Sequence, residues 1–299
     1  MYIRVLGAAA GGGLPQWNCR CEVCRLAWSG DPRVTPRTQS SIAVSADGRS
    51  WALINCAPEV LTQIRRTPAL FPQQGCRHTP IASILLTNAD VDHVGGLLSL
   101  RESSPYRLYA TAEIQAVLRD SPIFNVLNPD YVERVSVALE QPLTLAEGLE
   151  ARMFAVPGKT ALYLEGEQVD IGAEGEATVG IEFRAAGRRT YYIPGCAAMT
   201  PALAARLEGA DVLLFDGTLW RDDEMIRAGV GHKTGQRMGH MAMSGDTGSM
   251  AKLSSVSLGR RVFLHINNTN PVLIDGSPER REAARMGWEI AYDGMELEC

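Results

Sequence analysis

Residues 86–96 read Leu-Thr-Asn-Ala-Asp-Val-Asp-His-Val-Gly-Gly, and this stretch carries most of what the chain says about its fold and function. The apolar run before it, residues 81–86, is typical of a buried strand, and residues 96–100 after it have a helical pattern. We therefore predict that Asp92 and His93 lie on the turn between a strand and a helix. Side chains converge at such strand ends in α/β folds, so we expect a binding site there.

The stretch resembles the metal-binding motif of the metallo-β-lactamase superfamily, His-x-His-x-Asp-His-x-Gly-Gly. Asp92, His93 and the glycine pair stand in place, whereas Asn88 and Asp90 replace the two leading histidines. Three later segments complete the resemblance, and in the superfamily they supply a loop histidine, a carboxylate that bridges two metals and a last histidine. In that order, the residues here are Lys159, Asp216 and His265.

The resemblance sorts these residues by metal ion. The ligands of the first metal are all replaced, by Asn88, Asp90 and Lys159. Lysine is a poor ligand at neutral pH because it is protonated. The ligands of the second metal are all present: Asp92, His93, His265 and, in the bridging position, Asp216. The pattern indicates a hydrolase scaffold that has lost half of a two-metal centre.

The surviving set contains two imidazoles and one or two carboxylates. Two histidines and one carboxylate on one face of a metal form the ligand set of non-haem Fe(II) oxygenases, which leaves positions for oxygen and substrate. A hydrolytic pair of metals needs both sites to hold the attacking and leaving oxygens. The substitutions therefore favour redox chemistry over hydrolysis, although the same ligand types also bind zinc or manganese.

Other polar residues near these motifs are candidates for catalysis or substrate binding. His240 resembles, in order and context, the histidine that acts as general acid in phosphodiesterase and tRNA-processing relatives, and imidazole suits proton transfer at neutral pH. Asn88 and Asp90 either contact metal or substrate or serve as hydrogen-bonding loop residues. A cation at Lys159 would occupy the charge space of the missing metal and could bind a carboxylate.

A separate cluster packs three thiols into six residues, at Cys19, Cys21 and Cys24. This spacing points to structural zinc, which needs a fourth ligand from elsewhere. A phosphonate-pathway phosphodiesterase of the same superfamily has a similar cluster, paired with a histidine three residues past the final active-site histidine. That position here is Asn268, a weak zinc ligand, so Asn268, His232 and a water molecule remain alternatives for the fourth position.

The motifs taken together resemble the pyrroloquinoline quinone biosynthesis protein B family over nearly the whole chain. The segments that carry the resemblance are residues 7–19, 87–93, 233–235, 238–240 and 265–271. The resemblance implies a mononuclear non-haem iron hydroxylase that uses O2 as co-substrate. Its substrate would be the tyrosine ring of a Glu–Tyr-derived intermediate in cofactor synthesis.

The resemblance also implies roles for individual residues. Asp92, His93 and His265 would hold Fe(II), and Asp216 would bind it or tune it. His240 would handle the phenolic proton, with Asp216, Asp90 and Lys159 as further catalytic candidates. A substrate rich in carboxylates would be met by Lys159 and Lys233, with Asn88 as another contact. The substituted ligands also motivate two alternative functions. One is a non-catalytic carrier of the cofactor or its precursor, and the other is a metal-dependent hydrolase of ester or phosphodiester bonds.

Composition bounds the remaining possibilities. The chain has 299 residues, 45% of them hydrophobic, and a net charge of −5 without a block of basic residues, which argues against nucleic acid as a partner. No apolar run reaches the length of a membrane helix. We find no export signal, so we expect a cytoplasmic protein whose seven cysteines are thiols or metal ligands. A homodimer is compatible with the sequence.

The expected fold is an αββα sandwich of the metallo-β-lactamase type, formed by residues 1–299 as one domain with the cysteine segment near its start. Superfamily analogy supports this more than periodicity does. Turn signals predict two hairpins, one joining residues 41–45 to 51–55 and one joining 178–184 to 189–193. Ser277 followed by proline predicts the start of a helix. Residues 121–140 give only a weak pattern.

Overall fold

The structure is a computed structural model that describes residues 1–166 and 170–299. Within that part of the chain, fourteen strands form two seven-stranded sheets. The strands are β1 Tyr2–Gly7, β2 Ser41–Ser45, β3 Trp51–Ile54, β4 Ile81–Leu85, β5 Tyr106–Ala110, β6 Val132–Ser136, β7 Pro142–Ala146, β8 Leu149–Ala155, β9 Val179–Ala185, β10 Arg188–Ile193, β11 Ala210–Asp216, β12 Leu258–Leu264, β13 Trp288–Ile290 and β14 Glu296–Glu298.

The helices are short, and most lie between or after strands. They are α1 Glu22–Trp28, α2 Val60–Arg65, α3 Val91–Val94, α4 Ala112–Asp120, α5 Pro201–Leu207, α6 Glu224–Arg227, α7 Gly235–Met238, α8 Ser249–Lys252 and α9 Pro278–Arg285. Short 3₁₀ turns occur at Pro68–Leu70, Gly95–Ser99, Pro122–Val126, Leu162–Leu164 and Pro271–Leu273. No helix in residues 1–166 or 170–299 has both the length and the apolar surface to cross a membrane.

Each sheet combines antiparallel and parallel pairs. The first has the order β14-β1-β2-β3-β4-β5-β6, and its strands run parallel from β3 to β6. The second has the order β13-β12-β11-β10-β9-β8-β7, and its strands run parallel from β10 to β13. The carboxyl ends of parallel neighbours lie at one edge of a sheet, so β4, β11 and β12 bring their following loops to the edges where a site can form.

Side chains alternate across each strand and produce three apolar layers. On β3, Ile54 faces the second sheet, whereas Trp51 and Leu53 face the outer layer with α2 and α4. On β11, Leu214 faces the first sheet and Phe215 faces the layer formed with α1, α5, α8 and α9. This period-two alternation buries both faces of both sheets. The predicted αββα sandwich is confirmed.

Most predicted elements are present, with one correction in the metal motif. Both hairpins form, and Ser277 accepts a hydrogen bond from the backbone N–H of Arg280 at the start of α9. Asp92 and His93, however, lie inside α3 rather than on a turn, because Asp90 is extended and the helix begins directly after it. Gly96 is required by close packing, since a Cβ there would lie 2.1 Å from the carbonyl oxygen of Ala57.

Candidate metal centre

Three strand ends position the candidate metal ligands. The loop after β4 leads into α3, which carries Asp92 and His93. Asp216 is the last residue of β11, and His265 follows β12 directly. His265 has a φ of +56°, in the left-handed region that non-glycine residues enter at a cost of about 1 to 2 kcal/mol. Such strain persists where surrounding contacts fix the residue, as at functional sites.

Asp92, His93 and His265 form one group whose ligand atoms all lie within 4.8 Å of one another. Nε2 of His265 lies 3.2 Å from Oδ2 of Asp92, and Nε2 of His93 lies 3.8 Å from the same oxygen. The two imidazoles meet edge to face with ring centroids 5.3 Å apart. One carboxylate and two imidazoles therefore face a common point.

The tautomer of His93 follows from its contact with Asn88. Nδ1 of His93 lies 2.6 Å from Oδ1 of Asn88, so the ring donates its Nδ1–H to that oxygen. The amide of Asn88 is oriented by Asp90, whose Oδ2 accepts from Nδ2 of Asn88 at 3.0 Å. This chain from Asp90 through Asn88 leaves Nε2 of His93 with a free lone pair.

The tautomer of His265 follows from its contact with Thr218. Oγ1 of Thr218 lies 2.6 Å from Oδ1 of Asp216, and its single proton goes to that carboxylate, the strongest acceptor in reach. It must then accept from Nδ1–H of His265, which lies 2.9 Å away. Nε2 of His265 is thereby left as the atom that faces Asp92, so both imidazoles present Nε2.

The electrostatics of Asp92 and His93 suit a cation. Nε2 of His93 is buried without a hydrogen-bond partner among the described residues, which is costly unless a metal or another group satisfies it. Burial lowers the pKa of His93 and keeps the ring neutral, although Asp92 opposes this effect. Burial would raise the pKa of Asp92, but His93 and His265 more than offset it and bring that pKa below its usual range. A neutral imidazole and an ionised carboxylate are the forms that bind metal.

Asp216 belongs to a second group, with His240 and His265. Its Oδ2 accepts from the backbone N–H of Cys196 at 2.9 Å and from Nδ1–H of His240 at 2.7 Å. Its Oδ1 accepts from the backbone N–H and the hydroxyl of Thr218. Hydrogen-bond donors of the protein therefore satisfy both oxygens of Asp216. The structure does not bring Asp216 into the group formed by Asp92, His93 and His265. Burial would raise the pKa of Asp216, but His240, His265 and Thr218 bring it below its usual range.

A cavity of about 340 Å³ opens over both groups. All of the predicted site residues outside the cysteine cluster line it, except Asp216. Those residues are Asn88, Asp90, Asp92, His93, Lys159, Lys233, His240 and His265. Sequence reasoning missed other lining residues, namely Gln16, Leu162, Thr218, Met225, Met238 and Asn267. Gln16, Met238 and Asn267 lie in segments that carry the family resemblance, and Thr218 stands two residues after a predicted strand-end carboxylate, so these four had a signal in the sequence.

The three thiols near the amino terminus also converge, away from this cavity. Cys19, Cys21 and Cys24 are buried and offer Sγ atoms within 4.8 Å of one another. The side-chain amide of Asn268 lies 3.1 Å from Sγ of Cys19 and 3.2 Å from Sγ of Cys24. His232 is exposed and lies outside this group. Of the two protein alternatives for a fourth ligand, the structure brings only Asn268 to the thiols.

Comparisons with known proteins agree with this architecture. A family model described as "Beta-lactamase superfamily domain" matches residues 50–266. "Coenzyme PQQ synthesis protein B" of Methylorubrum extorquens is 55% identical over 298 residues and is covered in full, as is this chain. The protein of that name from Rhizobium meliloti is 50% identical, with 99% of this chain and 97% of the relative covered.

The chain belongs to the coenzyme PQQ synthesis protein B family. The crystal structure of Zn(2+)-bound PqqB from Methylobacterium extorquens is 55% identical and superimposes with a TM-score of 0.99 over all of both chains. A diphosphatase from the PhnP family shares the fold, with a TM-score of 0.70 and 22% identity, over 100% of this chain and 97% of the other. The predicted family and fold are confirmed, and membership associates the chain with PQQ synthesis.

Proposed function

We propose that this protein is a cytoplasmic, mononuclear non-haem iron hydroxylase of PQQ synthesis, acting on the tyrosine ring of a Glu–Tyr-derived intermediate. The observation that carries the proposal is the group of Asp92, His93 and His265, in which contacts at Nδ1 of each imidazole leave the two Nε2 atoms facing the carboxylate of Asp92. Ligating histidines in metalloproteins usually have their other ring nitrogen held in this way.

The positions of the superfamily's first metal support one ion rather than two. Asn88 and Asp90 hydrogen-bond to each other, and Lys159 is ion-paired with Glu165 at 2.9 Å. A two-metal hydrolase needs ligands in these places to hold a second cation. The positive charge of Lys159 would repel a second metal ion. The hydrolase alternative therefore has less support than the oxygenase.

Asp92, His93 and His265 would hold Fe(II) as two imidazoles and one carboxylate. When bound in such a set, Fe(II) activates O2 for insertion of oxygen into an organic substrate. The group of Cys19, Cys21 and Cys24 would hold structural zinc, with Asn268 as the protein residue placed to complete it. Burial raises the pKa of the Cys21 thiol to about 12, so a cation is needed to stabilise the thiolates.

His240 is placed to move the phenolic proton of the substrate. Its Nδ1–H donates to Asp216, so Nε2 carries a lone pair while the ring lines the cavity. The carboxylate of Asp216 orients the ring and would stabilise the imidazolium that forms when Nε2 accepts a proton. In this proposal Asp216 is a positioning residue for His240 and tunes the metal group through Thr218 and His265.

The rest of the cavity suits a small acidic substrate. Its volume of about 340 Å³ falls in the range of small-molecule sites. Lys159 and Lys233 supply positive charge on the lining, and Asn88 and Asp90 supply hydrogen-bonding groups near the metal group. We propose these four residues as the contacts that orient the substrate.

The test is oxygen-dependent turnover by the iron form. The protein is purified under nitrogen, loaded with Fe(II), and mixed with glutamyl-tyrosine, O2 and ascorbate, with oxygen consumption and product mass as readouts. Ascorbate supplies the two electrons that reduce the second oxygen atom to water in each hydroxylation. We expect one iron per chain and a product heavier by oxygen atoms. His93→Ala should abolish both iron binding and product, while His232→Ala, at an exposed histidine, should preserve both.

Two results would contradict the proposal. An iron-loaded protein that gives no oxygenated product but binds finished PQQ tightly would support the carrier alternative instead. Turnover of a phosphodiester or ester by the zinc form, without oxygen consumption by the iron form, would support the hydrolase.

A further inference from the structure

An ion cluster on the cavity wall is not explained by the chemistry above. Nζ of Lys159 lies 2.9 Å from Oε1 of Glu165. The guanidinium of Arg237 contacts both oxygens of the same carboxylate, at 2.8 Å from Nη2 and 3.3 Å from Nη1. The side chains of Lys159 and Glu165 are only 11% and 8% exposed. One carboxylate is therefore held by two cations at a nearly closed position.

The two cations are arranged as in sites that bind carboxylates. The planar guanidinium of Arg237 binds both oxygens as a fork, which is the arrangement that arginine makes with carboxylates. The stem of Lys159 packs against Gly239, where a Cβ would lie 3.0 Å from Cγ of the lysine. This packing sets the direction of the amine. A ligand carboxylate that reached this position would meet the same two donors, the amine of Lys159 and the guanidinium of Arg237.

The ion cluster borders the cavity that contains the candidate metal group. Lys159 lines the cavity, whereas Arg237 lies behind Lys159 and Glu165 and is joined to the lining through Met238, the next residue. Lys233 lines it as well and has no ion-pair partner among the residues that the structure describes. Two carboxylates, those of Glu165 and Asp90, stand against the three cations Lys159, Lys233 and Arg237 beside residues 160–166, so one positive charge is left over there to favour an anionic ligand.

Glu165 reaches this position from residues 160–166, in which Ala161 is buried in the outer apolar layer and the three side chains after it are largely exposed. Leu162, Tyr163 and Leu164 are 58%, 51% and 43% exposed. Polar contacts attach the segment to the site, among them the hydrogen bond from the hydroxyl of Tyr163 to the carbonyl of Ala89 at 2.8 Å. Little apolar burial opposes displacement of Glu165, because hydrophobic stabilisation scales with the area removed from water.

We propose that Lys159 and Arg237 form a subsite for a carboxylate of the substrate, and that Glu165 fills this subsite until the substrate carboxylate replaces it. The inference rests on the proposed function for the identity of the substrate, a tyrosine derivative that carries carboxylates. Glu165 then acts as an internal competitor: its negative charge keeps the two cations paired when the cavity holds no substrate, and it weakens binding by the amount needed to displace it.

The test compares binding of two probes to the full-length protein under nitrogen, by calorimetry. Glutamyl-tyrosine carries carboxylates, and 4-ethylphenol has the same phenol ring without a charged group. Glu165→Gln removes the competing charge, so we expect glutamyl-tyrosine to bind at least about threefold tighter, while 4-ethylphenol binds unchanged. Lys159→Met and Arg237→Gln should weaken glutamyl-tyrosine by about tenfold or more, as expected for a lost charge-assisted hydrogen bond.

The sign of the Glu165 effect separates competition from a structural role. If Glu165 is instead needed to hold Lys159 and Arg237 in place, Glu165→Gln and Glu165→Ala will weaken the binding of both probes. That result overturns the inference. Unchanged binding of glutamyl-tyrosine in Glu165→Gln overturns it too. Arg227→Gln, at an exposed arginine on α6, is the matched control and should leave both probes unchanged. Binding requires no turnover, so a missing oxygenated product would count against the proposed function and leave this result intact.

Discussion

The side-chain oxygen of Asn88 lies 2.6 Å from Nδ1 of His93, so a residue that replaces a superfamily ligand holds a candidate metal ligand in place. Asp90, which replaces a second superfamily ligand, orients the amide of Asn88. In the proposed function, the two substitutions support the remaining metal ligands through hydrogen bonds. A support of this kind typically contributes tenfold to a hundredfold in metal affinity.

Asn88→Ala should therefore weaken Fe(II) binding by about tenfold to a hundredfold, because His93 loses the acceptor that fixes its tautomer and orientation. Anaerobic titration of Fe(II) in competition with a chelator measures the effect. Asn125→Ala, at an exposed asparagine, is the control and should bind iron like the parent. Equal affinities for Asn88→Ala and the parent would exclude the supporting role.

Thr218 should be equally important for His265, since its hydroxyl accepts from Nδ1–H of His265 and donates to Asp216. Thr218→Val keeps the shape but removes the hydroxyl, so Fe(II) affinity should fall by about tenfold or more. Thr218→Ser should retain most of the affinity. Nitrogen-15 NMR of the imidazoles provides the second readout: the parent should carry its proton on Nδ1 of His265, and a signal unchanged in Thr218→Val would contradict our assignment.

The thiol cluster should control stability and zinc content but not iron. Cys21→Ser should lose zinc and unfold at a lower temperature, because loss of a structural metal belongs to the changes that cost more than about 4 kcal/mol. Cys76→Ser, at an exposed thiol, is the matched control. Metal analysis and thermal unfolding should show that zinc content and unfolding temperature fall together in Cys21→Ser and stay unchanged in Cys76→Ser. A zinc content unaffected by Cys21→Ser would exclude the cluster as the zinc site.

Glu224 should make stability depend on pH. Burial raises the pKa of this carboxyl to about 7, while Thr269 and the backbone of Trp220 donate hydrogen bonds to it. The folded protein therefore holds a proton that the unfolded chain releases near its ordinary pKa of 4.5. The contribution of Glu224 to the free energy of unfolding is therefore greatest below pH 4.5 and falls as the pH rises to about 7, by at most about 3 kcal/mol.

Glu224→Gln mimics the protonated acid and should lack this dependence. Its free energy of unfolding should exceed that of the parent at pH 8, and the difference should vanish near pH 4.5. Chemical denaturation at several pH values measures both curves. Parallel curves, with the same slope for variant and parent, would mean that folding does not raise the pKa of Glu224.

The local part of the site could be predicted from the sequence. Asp92 and His93 are adjacent in one motif, and His265 follows a recognisable apolar strand, so the resemblance to the superfamily's metal ligands was sufficient to group them. The same holds for the hairpins and for the start of α9, where turn residues and caps act over a few positions. Short helices such as α6, α7 and α8 have four residues each, too few to give a periodic pattern.

Relationships between distant segments could not be predicted in this way. The pairing of Glu165 with Arg237 joins residues 72 positions apart, and nothing in either segment indicates the other. The place of Asp216 also required the structure, since sequence order alone suggested a metal ligand, whereas its four hydrogen-bond donors lie on loops that only the folded sheet brings together.

The most direct test of the account is anomalous diffraction at the iron edge from crystals grown under nitrogen with Fe(II). We predict a single iron peak in the cavity, within bonding distance of an oxygen of Asp92 and of Nε2 of both His93 and His265. A pair of metal peaks that includes Asn88 or Asp90 as ligands, or no iron at the three predicted side chains, would contradict it.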